Sequence, residues 1–83
     1  MHTLIIPELL PYGAPSTWDR GYFDALLGEA EKKAQLAGNA HLPDSVLQIM
    51  ADASEQALED AKRYALAFGN PVGFSAEDLK GVI

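Results

Sequence analysis

His41 and Asp44 lie three residues apart near the predicted start of a helix, a spacing at which two side chains could share a divalent metal ion. Zinc in proteins is held by four ligands in structural sites and by three protein ligands in catalytic sites. The chain has two histidines and no cysteine, so further ligands are scarce. The sequence therefore predicts no metal and no cofactor, and we expect His41 to be a solvated loop residue.

Three serines, Ser16, Ser45 and Ser75, carry hydroxyl groups that could serve as nucleophiles. A serine nucleophile needs a neighbouring general base, and each of these residues instead stands where a helix is predicted to begin. Serine at that position caps free backbone amides, which accounts for all three. With no cysteine nucleophile and no glycine-rich phosphate loop, the chain is predicted not to be an enzyme.

Acidic residues follow one side of the second predicted helix, at Asp44, Asp52, Glu55 and Glu59. Such a stripe could imitate a row of phosphates and occupy a nucleic-acid-binding protein, but a solvated helix face explains it equally well. Lys62 and Arg63 interrupt the stripe, and the formal net charge of −6 is modest for a mimic. Mimicry is therefore the least favoured hypothesis, and the same negative charge argues against binding to nucleic acid or to an anionic membrane.

Two amphipathic segments must position these side chains. The first is predicted to begin at a capping box formed by Ser16 and Asp19 and to run to about residue 37, before Gly38 and Asn39. The second is predicted to start at Pro43-Asp44-Ser45 and to run to about residue 68. Because the loop between them is short, the two helices should pack as an antiparallel hairpin over 16–69.

The segments on either side of the hairpin differ in composition. Prolines 7, 11 and 15 prevent a continuous helix over 1–15, so this segment is predicted to be an extended arm. In the tail, 70–83, a second capping-box pattern at Ser75 and Asp78 predicts a short helix. The predicted fold class is therefore all-α, with arm, hairpin and tail in one helical domain over 1–83.

The predicted contact between the two helices contains alanines along its length and aromatic residues near one end. Small alanines let the helix backbones approach closely, and the expected interior positions are Leu26, Leu27, Ala30, Ala34, Met50, Ala57, Ala61 and Ala65. The aromatic residues Trp18, Tyr22, Tyr64 and Phe68 all fall near the open end of the hairpin. That end is where the arm, the tail or a second chain should dock.

Small residues also line the opposite side of the first helix, at Gly21, Ala25 and Gly28. Each glycine destabilises a helix by roughly 0.8–1 kcal/mol relative to alanine. Either another backbone lies across this groove or the glycines are tolerated surface positions. Apolar residues of the arm are the other candidates for an interface: Leu4, Ile6, Leu9, Leu10 and Tyr12.

The amino-acid composition indicates what kind of protein this chain is. The chain has 83 residues, of which 48% are hydrophobic and 22% charged, values typical of a folded domain with a thin core. No apolar run is long enough to span a bilayer, no signal-peptide pattern is present, and we expect a cytoplasmic protein.

We therefore predict a non-catalytic interaction module, an adaptor or inhibitor that regulates a larger protein through the aromatic end and the arm. Phages and other mobile elements often encode short chains of this kind. Homodimerisation as a four-helix bundle is also expected, because one short hairpin hides little apolar surface. In the alternative, the chain is a structural subunit whose function is its homo-oligomer.

Overall fold

Two long helices form the body of the molecule in the computed structural model, which describes residues 6–82. Helix α1 spans Arg20–Ala37 and helix α2 spans Asp44–Ala67, after a single 3-10 turn at Pro7–Leu9. Tyr22 contacts Tyr64, and Ser54 Oγ donates a hydrogen bond to the Ala30 carbonyl oxygen, so the helices run antiparallel. The predicted helical hairpin is confirmed, and no strand occurs within the described residues.

Helix α1 begins three residues later than the Ser16 capping box predicted. Asp19 is the N-cap, and its Oδ1 accepts hydrogen bonds from the backbone N–H groups of Gly21 and Tyr22. Aspartate caps a helix as well as serine does. The residues before it are held outside the helix because the Tyr64 hydroxyl binds the Thr17 carbonyl oxygen and the Asp19 N–H.

The loop between the helices ends α1 and starts α2 close to the predicted positions. Gly38 follows the last residue of α1 as predicted, but its φ of −88° is not left-handed. Neither Asp44 nor Ser45 caps α2, since no side chain makes a capping hydrogen bond there. Instead the Pro43 carbonyl oxygen accepts from the N–H groups of Val46 and Leu47, and the ring of Pro43 fixes the backbone before the first turn.

Left-handed residues end α2 and turn the chain back along it. Gly69 has φ +82° and Asn70 has φ +61°, conformations that stop a helix and that glycine and asparagine adopt most readily. The Asn70 side chain bonds both the N–H and the carbonyl oxygen of Phe74, which fixes the path of the tail. Ser75 and Asp78 exchange the two hydrogen bonds of a capping box. The predicted tail helix is nevertheless wrong, because only hydrogen-bonded turns follow over 76–82.

The core lies at the open end of the hairpin, which we call the aromatic end. Trp18 stacks on Tyr64 with ring centroids 5.1 Å apart, and Tyr22 meets Tyr64 edge-on at 4.8 Å. Such aromatic pairs stabilise a core beyond the apolar area that they bury. The buried residues of this core cluster are Phe23, Ala61, Tyr64, Ala65, Ala67 and Phe68. Leu9, Leu10 and Ala14 of the arm, with Val72 and Phe74 of the tail, pack against it.

The other half of the hairpin, residues 31–56, which we call the distal half, contains no buried residue. Of the predicted interior positions, Ala34 is exposed, so that prediction is wrong. Ala30, Ala57, Ala61 and Ala65 are buried as predicted, while Leu26, Leu27 and Met50 are half-buried. The physical reason is that two helices alone cover only one strip of each other, and neither the described part of the arm nor that of the tail provides a third layer in the distal half.

Candidate interaction surfaces

The predicted aromatic interface is mostly occupied by the chain itself. Tyr64 is completely buried and Phe68 nearly so, because Trp18 and the arm close over them. The Tyr64 hydroxyl donates to the Thr17 carbonyl oxygen at 2.7 Å and accepts from the Asp19 N–H at 2.8 Å. A buried phenol with both hydrogen bonds satisfied serves the fold. Trp18 and Tyr22 remain half-buried at its edge.

The described part of the arm docks on the last two turns of α2. The Ile6 N–H donates to the Ala67 carbonyl oxygen at 2.9 Å. The Arg63 guanidinium donates to two arm carbonyl oxygens, that of Glu8 at 3.1 Å and that of Leu9 at 3.3 Å. Leu9 and Leu10 are half-buried against the core, whereas Ile6 is 42% exposed. The predicted interface residue Leu4 lies outside the described residues.

A tight turn presents Tyr12 to solvent. The Ala14 N–H donates to the Pro11 carbonyl oxygen at 3.0 Å, and Gly13 has φ +79° after a residue of negative φ. This combination defines a type II turn, whose third position favours glycine. Tyr12 is fully exposed at the tip, while Ala14 packs on the core. An aromatic ring therefore projects from a backbone that is tied down on both sides, and we call this the Tyr12 turn.

The groove predicted along the outer side of α1 is open. Gly21, Ala25 and Gly28 are all exposed, and no described residue of the arm crosses them. A Cβ atom added at Gly28 would have no neighbour within 4 Å among the described residues. One added at Gly21 would lie 3.2 Å from Asp19 Oδ1, so the capping carboxylate accounts for that glycine.

A strip of aliphatic side chains is uncovered on one side of the distal half. Ile49 is 59% exposed and Leu36 is 38% exposed. Helix periodicity places Leu36 about four turns after Tyr22 on α1, and Ile49 about three turns before Asp60 on α2. We call the surface formed by Leu36, Val46, Ile49 and Ala53 the distal strip.

Tyr22 lies at the edge of the aromatic core, where its ring meets that of Tyr64 at 4.8 Å. Desolvation raises the pKa of the Tyr22 hydroxyl, and the negative charges of Asp60 and then Tyr64 raise it further.

The distal strip was not among the predicted interface residues. Neither Leu36 nor Ile49 belongs to the main apolar face of its helix, which is the face that amphipathic periodicity identifies. One feature of the sequence could have indicated this strip. Ile49 is aliphatic, yet it lies outside the apolar face of its helix, next to the polar residue Gln48. Single exposed aliphatic residues are common, so this signal alone is weak.

Charged residues form no concentrated site on α2. Asp44, Asp52, Glu55 and Glu59 are all exposed. Glu59 lies 4.0 Å from Arg63, and Asp52 accepts a hydrogen bond from Gln48. A shallow groove of about 190 Å³ beside the tail carries both signs of charge. Its lining residues are Glu55, Leu58, Glu59, Lys62, Lys80, Gly81 and Val82.

Of His41 and the three serines, two occupy the places that the sequence indicated and two do not. His41 is an exposed loop residue whose N–H binds Asn39 Oδ1. Ser75 takes part in the tail's capping box, but Ser16 and Ser45 cap neither helix. Within 6–82, no group of three or more histidine or acidic side chains is placed to hold a metal ion.

In the described part of the chain, neither helix is both long and apolar enough to cross a bilayer. The chain matches no protein-family model, and no curated protein or solved structure is significantly similar to it.

Proposed function

We propose that this chain is a small non-catalytic interaction module, an adaptor or inhibitor that regulates a larger protein by binding to it. The observation that carries the proposal is the Tyr12 turn. A fully exposed tyrosine on a fixed backbone offers a large contact area, since only the two χ angles of its side chain must be ordered on binding. Tyrosine is also one of the residues most enriched among those that dominate binding energies.

The anchoring of the arm supports this role. Arg63 and Ala67 hold the backbone before the turn, and Ala14 packs on the core after it. A binding element that is already ordered loses little conformational entropy when a partner docks. The ring of Tyr12 projects outward, so the complementary surface is a concave apolar pocket with a hydrogen-bond acceptor for the phenol.

The test compares proteins retained from an extract of the native host by the immobilised wild-type chain, Tyr12→Ala and Gln35→Ala. Gln35 is an exposed residue of α1 and provides the matched control. We expect one discrete protein to be retained by the wild type and by Gln35→Ala. For that protein, Tyr12→Ala should weaken binding by about 2 kcal/mol or more, roughly 30-fold in Kd. Equal retention by Tyr12→Ala would contradict the proposal.

The alternative function is that of a structural subunit acting as a homo-oligomer, and the distal strip is the observation that favours it. An exposed aliphatic strip on a net negative chain fits a protein contact better than a nucleic-acid contact. Mass in solution separates the two functions. A large ring or filament that persists on dilution would favour the structural subunit, whereas a monomer or small closed oligomer that captures a different protein would favour the adaptor.

A further inference from the structure

We infer that Arg63 is the residue that positions Tyr12, because its guanidinium group fixes the backbone of the arm shortly before the Tyr12 turn. This inference rests on the proposed function, since it identifies the side chain that holds the binding element in place. Arg63 lies on α2 and is half-buried. It acts on Tyr12 through the backbone of the arm, so it is a positioning residue and need not touch a partner.

Each nitrogen of the Arg63 guanidinium faces a different oxygen atom. Nε donates a hydrogen bond to the Leu9 carbonyl oxygen at 3.3 Å, and Nη2 donates to the Glu8 carbonyl oxygen at 3.1 Å. Nη1 lies 4.0 Å from Oε1 of Glu59, which is four residues earlier on α2. The planar fork of an arginine presents its donors in fixed relative directions. Arg63 therefore fixes two consecutive carbonyl groups of the arm, with Glu59 as a nearby counter-charge.

Pro11 ends the 3-10 turn of the arm and leaves the Glu8 carbonyl oxygen without a donor from that turn. In a 3-10 turn, each N–H group bonds the carbonyl oxygen three residues earlier, as the Leu10 N–H does with Pro7. The residue that would bond the Glu8 carbonyl oxygen in this way is Pro11, which has no N–H group. The donor comes instead from Arg63, which is distant in the sequence.

Apolar packing of the arm does not by itself fix the direction of the turn. Leu9 and Leu10 are half-buried against the core, and the hydrophobic effect that holds them there is not directional. Hydrogen bonds weaken steeply as their angles become unfavourable, so Arg63 restricts the orientation of the arm as well as its position. Tyr12 follows Leu9 by three residues, and Ala14 packs on the core after it. The turn is thus held on both sides, and Arg63 holds the side before it.

The test is ¹⁵N NMR relaxation of the purified full chain without a partner, which measures the order parameters of the Tyr12 and Gly13 N–H groups. The variants are Arg63→Gln, which removes the guanidinium, and Arg63→Lys, which keeps the charge but lacks the planar fork. Arg20→Gln is the matched control, because Arg20 also pairs with a carboxylate four residues away but lies on α1. We expect order parameters of about 0.8 in the wild type and the control, and below about 0.6 in both Arg63 variants. Circular dichroism should show the same helical content in all four proteins.

Three results would overturn the inference. A turn that stays equally ordered in both Arg63 variants would mean that packing alone positions Tyr12. Order retained in Arg63→Lys alone would mean that charge suffices without the fork, and a loss of helical content in both variants would make Arg63 a requirement of the fold. The proposed function fails by a different measurement, the capture of a host protein that Tyr12→Ala does not weaken. A turn that loosens in both Arg63 variants would support the role of Arg63 whatever that capture shows.

Discussion

The two ends of the hairpin are built from the same pair of helices but reach different degrees of burial. At the aromatic end, the arm and the tail add a third layer, and Tyr64, Ala61 and Ala65 become completely inaccessible to solvent. In the distal half, the same helices pack without that layer and no residue is buried. A third layer, rather than the helix sequence alone, therefore decides where this small chain has a core.

The different burial of the two ends also shows which residues stabilise the fold. Aromatic residues that sequence analysis assigned to a partner are mainly used to close the fold, as Tyr64 and Phe68 are. The apolar surface that stays exposed includes the Tyr12 turn and the distal strip. If the aromatic end completes its own core, substitutions in that core should lower stability more than substitutions in the distal half.

The largest expected effect is that of Tyr64→Ala at the aromatic end. Removing a buried aromatic side chain costs about 3–5 kcal/mol, against a total stability of about 4–12 kcal/mol for a chain of this length. It also leaves the Asp19 N–H without its acceptor. In the distal half, Met50→Ala should cost less than about 2 kcal/mol because Met50 is only half-buried. Urea unfolding of both variants measures the difference, and equal losses would remove the contrast between the two ends.

The same substitution, alanine to leucine, can be compared at one buried and one exposed position. Ala61 is completely buried between the helices, whereas Ala34 is exposed in the distal half. Ala61→Leu should overpack the core and cost about 1–3 kcal/mol, whereas Ala34→Leu should change stability by no more than about 0.5 kcal/mol. Thermal unfolding monitored by circular dichroism can rank the two variants. A loss at Ala34 as large as that at Ala61 would place Ala34 inside a core.

These pairs also mark what could be predicted from the sequence. The helices and their antiparallel packing follow from periodicity, loop length and the residues that end each helix, and those predictions agree with the structure within a few residues. The position of Ala34 on the apolar face of α1 was predictable from the sequence, but its exposure was not, because burial depends on which segments form a third layer. The start of α1 was missed for a similar reason, since the bonds of Tyr64 to residues 17 and 19 are long-range contacts.

In the candidate sites too, local features could be predicted from the sequence, whereas features that depend on long-range contacts could not. Gly13 could have indicated a turn, and Tyr12 was among the predicted interface residues. Its complete exposure depends on how the arm docks on Arg63, a contact between residues more than fifty positions apart. The distal strip depends on which side of the hairpin the tail covers, which the amphipathic pattern does not encode.

Two glycines of α1 should respond differently to substitution by alanine, with smaller effects on stability. Gly28 lies in the middle of α1, and a Cβ atom there would have no neighbour within 4 Å in residues 6–82. Gly28→Ala should therefore stabilise the chain by roughly 0.8–1 kcal/mol. Gly21→Ala should gain less, because its Cβ would lie 3.2 Å from the Asp19 carboxylate that caps the helix. Chemical denaturation of both variants compares the gains. An equal gain at Gly21 would mean that the cap adjusts freely.

The smallest expected effect concerns the exposed capping box of the tail. The Ser75 backbone N–H and then its side chain lower the pKa of the Asp78 carboxyl below its ordinary value. A lowered pKa in the folded state means that the charged carboxylate adds stability above its unfolded pKa and that this contribution is lost as the pH falls through the folded pKa. Carboxyl NMR titration of the wild type should show that Asp78 becomes protonated at a lower pH than an ordinary aspartate. In Ser75→Ala the pKa should rise, and an unchanged value would contradict the role of the hydroxyl.

The central claim is that the aromatic end has a complete core while the distal half has no third layer within residues 6–82, and amide hydrogen exchange measured over a range of protein concentrations tests it most directly. Protection within α2 should be strong and independent of concentration over 57–67, because the third layer covers these turns. Over 46–53, protection should be weak in dilute solution, because no residue of these turns is buried. Distal amides that are as strongly protected as those of the aromatic end at the lowest concentration would contradict the claim.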